Sequence, residues 1–218
     1  MNNKLDDKTS LVFSYLEIRK TIGILGIALP FVLSLGALIF FQTGFQSSIS
    51  SYYYTGMRNV FVGILCAIGF FLLSYRDYER NDKIAGDLGC IFALGVAFFP
   101  MKPDVVSANY NPMTGYAHFF FAAGFFITLT YFSLYLFTKT EAKKTPTKRK
   151  ILRNKVYKAC GYMIAICILL IAIYSILPEN MASIFKSYKP VYWLEALAIL
   201  AFGVSWFTKG EAILKDAV

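Results

Sequence analysis

The sequence has few residues in the arrangements that form metal sites and disulfides. It contains a single histidine, His118, among 218 residues, so a zinc site held by three histidines, as in some membrane hydrolases, would lack ligands. The cysteines fall inside apolar runs and show no Cys-x-x-Cys spacing, which indicates neither a disulfide framework nor a zinc site. We therefore predict no metal and no cofactor, and we expect buried packing roles for Cys66, Cys90, Cys160 and Cys167.

Charged residues are also scarce. Asp, Glu, Lys and Arg make up 16% of the chain, whereas 57% of its residues are hydrophobic and the mean hydropathy is +0.54. A water-soluble globule cannot bury so much apolar surface, so we expect lipid to solvate the chain. The net charge of +9 is of the kind found in nucleic-acid-binding proteins. However, the basic residues lie between apolar runs, where they set membrane orientation, and we predict no nucleic-acid partner.

Six apolar stretches are long enough to cross a bilayer as helices. At about 1.5 Å per residue, roughly 20 residues cross a hydrocarbon core of about 30 Å. No small-residue cleavage site follows the first stretch, so we expect a retained span rather than a removed signal peptide. The predicted fold is an all-α, polytopic bundle within residues 21–208, with six transmembrane helices at Thr21–Phe41, Met57–Tyr75, Ile84–Met101, Tyr116–Phe137, Ala159–Leu177 and Pro190–Phe207.

Lysine and arginine are distributed unequally between the two sides of that bundle. Of the 22 basic residues, eighteen fall in residues 1–20, the second-to-third connection, the basic connection 139–158 and the tail 209–218, and four fall on the other side. Because cytoplasmic connections are enriched in Lys and Arg, we predict that both termini are cytoplasmic. The expected location is the plasma or inner cell membrane, as a multi-pass protein.

Two polar segments each allow two interpretations. Residues 9–20 form either an amphipathic interfacial helix or an early start of the first span. The basic connection is either a contact patch for anionic lipids or a determinant of topology. The basic residues that would contact anionic lipid are Lys143, Lys144, Lys148, Arg149 and Lys150.

Ionisable side chains inside membrane spans are costly, so each one suggests a site. By the predicted topology, Arg58, His118 and Glu195 share the outer half of the bilayer, next to connections rich in serine and tyrosine. We predict a polar pocket, open to the outer leaflet, that binds a lipid or small amphiphile with a phosphate or carboxylate head group. The candidate ligand-binding residues are Arg58, His118, Glu195, Ser48, Ser51, Tyr53, Tyr192 and Trp193.

The same cluster also has a structural interpretation. Tyr and Trp gather at both interfaces of membrane proteins because their rings are amphipathic. Arg58 and Glu195 would neutralise each other, since an unpaired charge there is expensive. His118 would bond to a single carbonyl.

Two other functions would use these residues differently. A membrane-embedded hydrolase or acyltransferase would use His118 as its general base. Its nucleophile would be Ser48, Ser50 or Ser51, and its orienting acid Asp104 or Glu195. A channel or transporter subunit would need a polar path from the outer cluster to Asp87. The middle turns of the spans are almost entirely apolar, so such a pore would require an oligomer.

The pattern Ser-Ile-Ser-Ser-Tyr-Tyr at residues 48–53, the Phe99-Pro100 pair and the His118 that opens the fourth span resemble a known group. This group comprises the DUF998 and Frag1/DRAM/Sfk1 membrane proteins, and the similarity covers about residues 48–137. The resemblance implies six helical spans, cytoplasmic termini and roles linked to membrane lipids or trafficking, with no catalytic set. The positions that match are Ser48, Ser50, Tyr52, Pro100 and His118.

Overall fold

The computed structural model describes residues 2–75, 80–105, 110–140 and 145–214, with side chains from residue 15 onward. These residues form α-helices and no strand. A 3₁₀ turn, Ser50–Tyr54, follows the first helix, and a π-helical turn, Phe132–Leu136, extends the fourth. The helices are α1 (Asn2–Phe41), α2 (Arg58–Leu73), α3 (Arg80–Phe98), α4 (Pro112–Tyr131), α5 (Lys148–Ile176), α6 (Glu179–Lys186) and α7 (Pro190–Lys209).

Four helical segments are long and apolar enough to cross a membrane. They are Tyr15–Phe41, Pro112–Leu136, Lys148–Ile176 and Pro190–Lys209. Large apolar side chains point away from the bundle along them: Phe40 is 76% exposed and Ile176 is 82% exposed. Contiguous apolar surface of this kind is unfavourable in water, so these helices indicate a membrane protein.

The second and third helices are weaker candidates for spans. α2 is apolar but has only 16 residues. α3 has 19 residues, and its first turns carry Arg80, Asp82, Lys83 and Asp87. Length and composition therefore identify four membrane-length helices, and six spans stay a prediction.

Two segments, residues 9–20 and residues 179–186, lie outside the predicted spans and are helical. Residues 9–20 continue α1 without a break, and whether they lie at the interface or within the first span stays a prediction. Residues 179–186, which no predicted span includes, form α6. This short helix carries Met181, Ile184 and Phe185 on one side, and all three are exposed.

Local sequence explains where several helices begin. The Asn111 side chain accepts the backbone N–H of Met113 at 3.0 Å and caps α4, with proline at the first helical position. Thr147 Oγ1 likewise accepts the N–H of Lys150 at 3.1 Å and caps α5. α7 also starts with a proline, Pro190. These caps satisfy N–H groups that have no partner inside the helix.

Six helices pack in a closed ring in which α1 contacts α2, and then α3, α4, α5 and α7 follow until α7 returns to α1. Glycines allow the closing contact. A Cβ atom at Gly203 would lie 2.7 Å from the backbone nitrogen of Ile27 and 2.8 Å from the carbonyl oxygen of Gly23. Backbone atoms cannot move aside as a side chain can, so this crossing requires glycine.

An aromatic cluster fills one end of the ring, where α2 and α7 end. Trp206 is fully buried, and its ring centre lies 5.0 Å from that of Phe137 and 5.3 Å from those of Phe132 and Tyr75. Arg19 lies over the Tyr75 ring at 5.4 Å. We call this the basic end, because α5 begins here with basic residues. The opposite end, where α1 and α5 finish, holds the polar groups described next.

Candidate functional site

The connection that follows α1 is fastened to the first turns of α7. The backbone N–H of Tyr192 donates to the carbonyl of Ser47 at 3.1 Å. The N–H of Ile49 donates to Glu195 Oε2 at 2.7 Å, and the N–H of Ser50 donates to the same oxygen at 3.4 Å. One carboxyl oxygen of Glu195 therefore holds this connection, while Oε1 has no partner among the described residues.

Three serines form a hydrogen-bonded chain that ends at Asp104. Ser47 donates to Asp104 Oδ1 at 2.9 Å. Ser51 Oγ lies 2.9 Å from Ser47 Oγ and 2.8 Å from Ser48 Oγ. Each hydroxyl has one hydrogen to donate, so in this chain Ser48 donates to Ser51, and Ser51 donates to Ser47. Met101 Sδ, 3.0 Å from Ser48 Oγ, is a weaker alternative acceptor. In either case the three serine hydroxyls donate their hydrogens to other atoms of the protein.

His118 is fixed by one hydrogen bond to the end of α3. Its Nδ1 lies 2.8 Å from the carbonyl oxygen of Phe99, and the side chain is 4% exposed. A carbonyl oxygen can only accept, so Nδ1 carries the hydrogen and Nε2 of the neutral ring is an acceptor. Nε2 has no hydrogen-bond partner within the described part of the chain.

A cavity of about 760 Å³ lies between α4, α5 and α7, with α6 at its edge. Its inner end is buried: Ser48 is 1% exposed and His118 is 4% exposed. Its outer edge is open, since Glu179 and Lys186 are exposed. The polar lining consists mainly of Ser47, Ser48, Asp104, His118, Glu179, Lys186, Lys189 and Glu195. The apolar lining includes Phe119, Ala122, Ala123 and Phe126 of α4 and Ile168, Ile171 and Ala172 of α5.

α6 has two chemically different faces. Glu179, Ala182 and Lys186 recur at helical spacing and line the cavity. The exposed side carries apolar residues, of which Ile184 is 66% exposed and Phe185 is 48% exposed. The helix is held to α5 by the hydroxyl of Tyr174, which donates to the carbonyl of Ala182 at 3.3 Å, and both of these residues line the cavity.

Of the candidate ligand-binding residues predicted from sequence, Ser48, His118 and Glu195 line the cavity. Arg58 does not. Its guanidinium donates to the hydroxyl of Tyr53 and lies 4.1 Å from the centre of the same ring, and the residue is exposed. The predicted neutralisation of Glu195 by Arg58 is therefore wrong, because backbone N–H groups bind Glu195 instead.

The remaining predicted residues lie near the cavity but not on its wall. Tyr192 is buried and its hydroxyl lies 2.5 Å from Ser34 Oγ. Trp193 is 56% exposed and stacks on Phe45 with ring centres 6.5 Å apart. Ser50, a candidate nucleophile, is buried in the 3₁₀ turn. A ligand-binding role for the off-wall candidates, Arg58, Ser51, Tyr53, Tyr192 and Trp193, stays a prediction.

A tyrosine of the 3₁₀ turn ties the connection after α1 to the one after α3. The Tyr54 hydroxyl donates to the carbonyl of Met101 at 2.5 Å. Burial raises the pKa of Tyr54, and Tyr110 and Tyr53 raise it further, whereas Arg58 lowers it. The raised pKa keeps the phenol protonated and therefore able to donate this hydrogen bond.

The part of the site that sequence reasoning missed is the wall formed by α5 and α6. A signal for α6 was present, because Met181, Ile184 and Phe185 follow the spacing of one helical face. No signal in the sequence placed Ile168 or Ile171 on a cavity. They resemble the other apolar residues of α5, and their position depends on how that helix is rotated.

The basic connection is described only from residue 145 onward, so Lys143 and Lys144 lie outside the described residues. Lys148 and Arg149 are exposed in the first turn of α5. Lys150 donates to the carbonyl of Phe137 at 2.8 Å. Its Nζ also lies 5.8 Å from the centre of the Tyr157 ring on the same helix. Contact with anionic lipid stays a prediction.

The described residues contain no group of three His, Cys, Asp or Glu side chains placed to hold a metal ion. No protein-family model, curated protein or solved structure matches the chain. The resemblance to the DUF998 and Frag1/DRAM/Sfk1 proteins therefore stays a prediction. The site defines a helical membrane protein with a cavity that is polar at one end and apolar along its length.

Proposed function

We propose that this protein binds a lipid or small amphiphile in the cavity between α4, α5 and α7. The main support for the proposal is that a polar surface and an apolar surface adjoin within this cavity. The buried polar end contains His118 and Glu195, and the adjoining wall is apolar from Phe119 to Phe126 and at Ile168 and Ile171. A ligand that matches both surfaces has a polar head and a hydrocarbon tail. Lipid-linked roles are also what the resemblance noted above implies.

We further propose that six helices cross the membrane, with both termini cytoplasmic. The support for α2 and α3 as spans is that they complete the ring with the four membrane-length helices. The support for the orientation is the excess of Lys and Arg in the connections at the basic end. The cavity then opens in the outer leaflet. α6 lies at the outer interface, where its exposed apolar face contacts lipid.

Native mass spectrometry of the detergent-purified protein tests the binding proposal. Wild-type protein is expected to retain a co-purified lipid. Ala122 lines the cavity on α4, so Ala122→Trp fills it and should abolish retention. Ile127 is on the same helix but is 62% exposed and does not line the cavity, so Ile127→Trp should retain lipid. Equal retention by the two variants, or none by wild type, would overturn the proposal.

A membrane-embedded hydrolase or acyltransferase is the second candidate, because Ser48 and His118 line the same cavity. Nucleophilic catalysis requires the imidazole to take the serine proton. Ser48 Oγ instead accepts the N–H of Ser51 at 2.9 Å, and no hydrogen bond joins it to His118. A fluorophosphonate probe should label Ser48, and not Ser48→Ala protein, if the serine is activated. Absence of label on Ser48 in protein that retains lipid would rule this candidate out.

A further inference from the structure

The polar end of the cavity contains two hydrogen-bond acceptors that have no partner among the described residues. Glu195 Oε1 and His118 Nε2 both lack partners among the described residues. The hydroxyl hydrogens of the serine chain are used within the protein, in the direction of Asp104. Lys189 also lines the cavity; its ammonium donates one hydrogen to the carbonyl of Phe45 and has two more to donate. A ligand that pairs with Glu195 Oε1 and His118 Nε2 as acceptors must donate hydrogens to both.

The unpaired acceptors belong to one small region. Glu195 is bound to the N–H of Ile49, the residue after Ser48. Ser48 Oγ lies 3.0 Å from the sulfur of Met101, two residues after Phe99, whose carbonyl holds His118. Both acceptors line the same cavity, and neither is among the fully buried atoms that lack a partner. A donor inside the cavity can therefore approach them.

The edge of the cavity carries both an acid, Glu179, and a cation, Lys186. Lys186 extends from α6 on the side that lines the cavity, and it is exposed. A lysine ammonium is a point charge that can bind a phosphate group. The sequence predicts Arg58 as the cation that binds a phosphate or carboxylate head group, but Arg58 donates to Tyr53 and does not line the cavity. Lys186 is therefore a cation at the edge that a phosphate can approach, and Glu179 is an acid on the same helix.

We infer that the cavity selects a phospholipid whose head group carries a primary ammonium, an inference that rests on the proposed lipid-binding function. The ammonium has three hydrogens to donate and binds Glu195 and His118 at the inner end. The phosphate lies toward Lys186, and an acyl chain lies along the apolar wall of α4 and α5. A choline head group has no hydrogen to donate, and a glycerol head group brings no positive charge to Glu195.

The test is competition for wild-type protein in nanodiscs that contain phosphatidylethanolamine, phosphatidylcholine and phosphatidylglycerol with identical acyl chains, read by native mass spectrometry. We expect phosphatidylethanolamine to be retained about tenfold over each of the others, which is the effect of one charged hydrogen bond. Retention without preference, or preference for another head group, would overturn the inference and leave lipid binding intact. Retention of no lipid would overturn both.

Glu195→Gln provides a matched variant. The amide oxygen of Gln can still accept the N–H groups of Ile49 and Ser50, while its NH₂ group replaces the free acceptor with a donor. The preference for phosphatidylethanolamine should fall to within about twofold of parity, by loss of that charged hydrogen bond. Glu17 is paired with Lys20 on α1, so Glu17→Gln should keep the wild-type preference. An unchanged preference in Glu195→Gln would count against the inference.

Soluble glycerophosphoethanolamine tests whether the ligand is an intact lipid or its head group alone. The inference predicts that it competes poorly, because it lacks the acyl chains that contact the apolar wall. Competition at concentrations equal to those of the intact lipid would show that the head group alone is the ligand, and would contradict the assignment to a phospholipid.

Discussion

Glu195 Oε2 lies 2.7 Å from the backbone nitrogen of Ile49, although the two residues are 146 positions apart in the sequence. Ile49 is 1% exposed, so removing this partner would leave a buried N–H group without its acceptor. Glu195 therefore helps to fix the connection after α1, together with Tyr192 and Lys189, and it does so next to the cavity. This relationship gives Glu195 a structural role as well as its proposed role toward a ligand.

Glu195→Ala should lower the free energy of unfolding by about 2 kcal/mol, since it leaves buried N–H groups without an acceptor. Glu195→Gln should cost about half as much, because its amide oxygen still accepts. Thermal unfolding of the purified variants in detergent measures both effects. A wild-type melting temperature for Glu195→Ala would show that this contact does not stabilise the fold.

The roles of the two ring nitrogens of His118 can be tested separately by substitution. His118→Asn places an amide donor near the position of Nδ1, so the bond to Phe99 and the stability of the fold should be kept within about 1 kcal/mol. It removes Nε2, so retention of lipid should fall. His118→Phe removes both nitrogens and should lower stability and retention together. If His118→Asn retains lipid as wild type does, Nε2 has no part in binding.

Arg58→Ala should leave lipid retention within about twofold of wild type. The guanidinium binds the hydroxyl and ring of Tyr53 and does not line the cavity, and exposed contacts of this kind contribute less than about 1 kcal/mol. Native mass spectrometry beside the wild-type protein measures the effect. A large loss of lipid would mean that Arg58 reaches the ligand after all.

The crossing of α1 and α7 should not tolerate a side chain. Gly203→Ala places a Cβ atom 2.7 Å from the backbone of Ile27, so we expect a loss of about 1–3 kcal/mol from overpacking. Gly63 on α2 is the matched control, because a Cβ there meets nothing within 4 Å. Gly63→Ala should leave stability unchanged or raise it by up to about 1 kcal/mol. Equal melting temperatures for the two variants would contradict the close crossing.

The proposed orientation can be tested by labelling with a membrane-impermeant maleimide. Ser187→Cys, after α6, should react in intact cells, whereas Lys148→Cys, at the start of α5, should react only after permeabilisation. Of the native cysteines, Cys90, Cys160 and Cys167 are buried and Cys66 is half-buried, so the background should be low. Reaction of Lys148→Cys from outside would reverse the proposed topology.

The helices could be predicted because their signals are local. An apolar run of about 20 residues forms a helix in lipid whatever its neighbours are, since only internal hydrogen bonds satisfy its backbone there. Proline at the first helical position also marks the starts of α4 and α7. The candidate site could be predicted only in part. The depth of Ser48, His118 and Glu195 in the membrane follows from their distance along the chain to the helix ends. The sequence therefore predicts that these three residues belong to one site.

The amino-acid sequence alone determined that this is a helical membrane protein without the ligands of a histidine zinc site. Hydropathy and residue counts are sums over residues that are close together in the chain, and they do not depend on tertiary contacts. Only the tertiary structure decided that Glu195 binds backbone N–H groups rather than Arg58, and that α5 and α6 complete a cavity around His118. Those outcomes depend on the rotation of each helix about its axis. Contacts between distant parts of the chain, such as the close approach of Gly23 and Gly203, set that rotation.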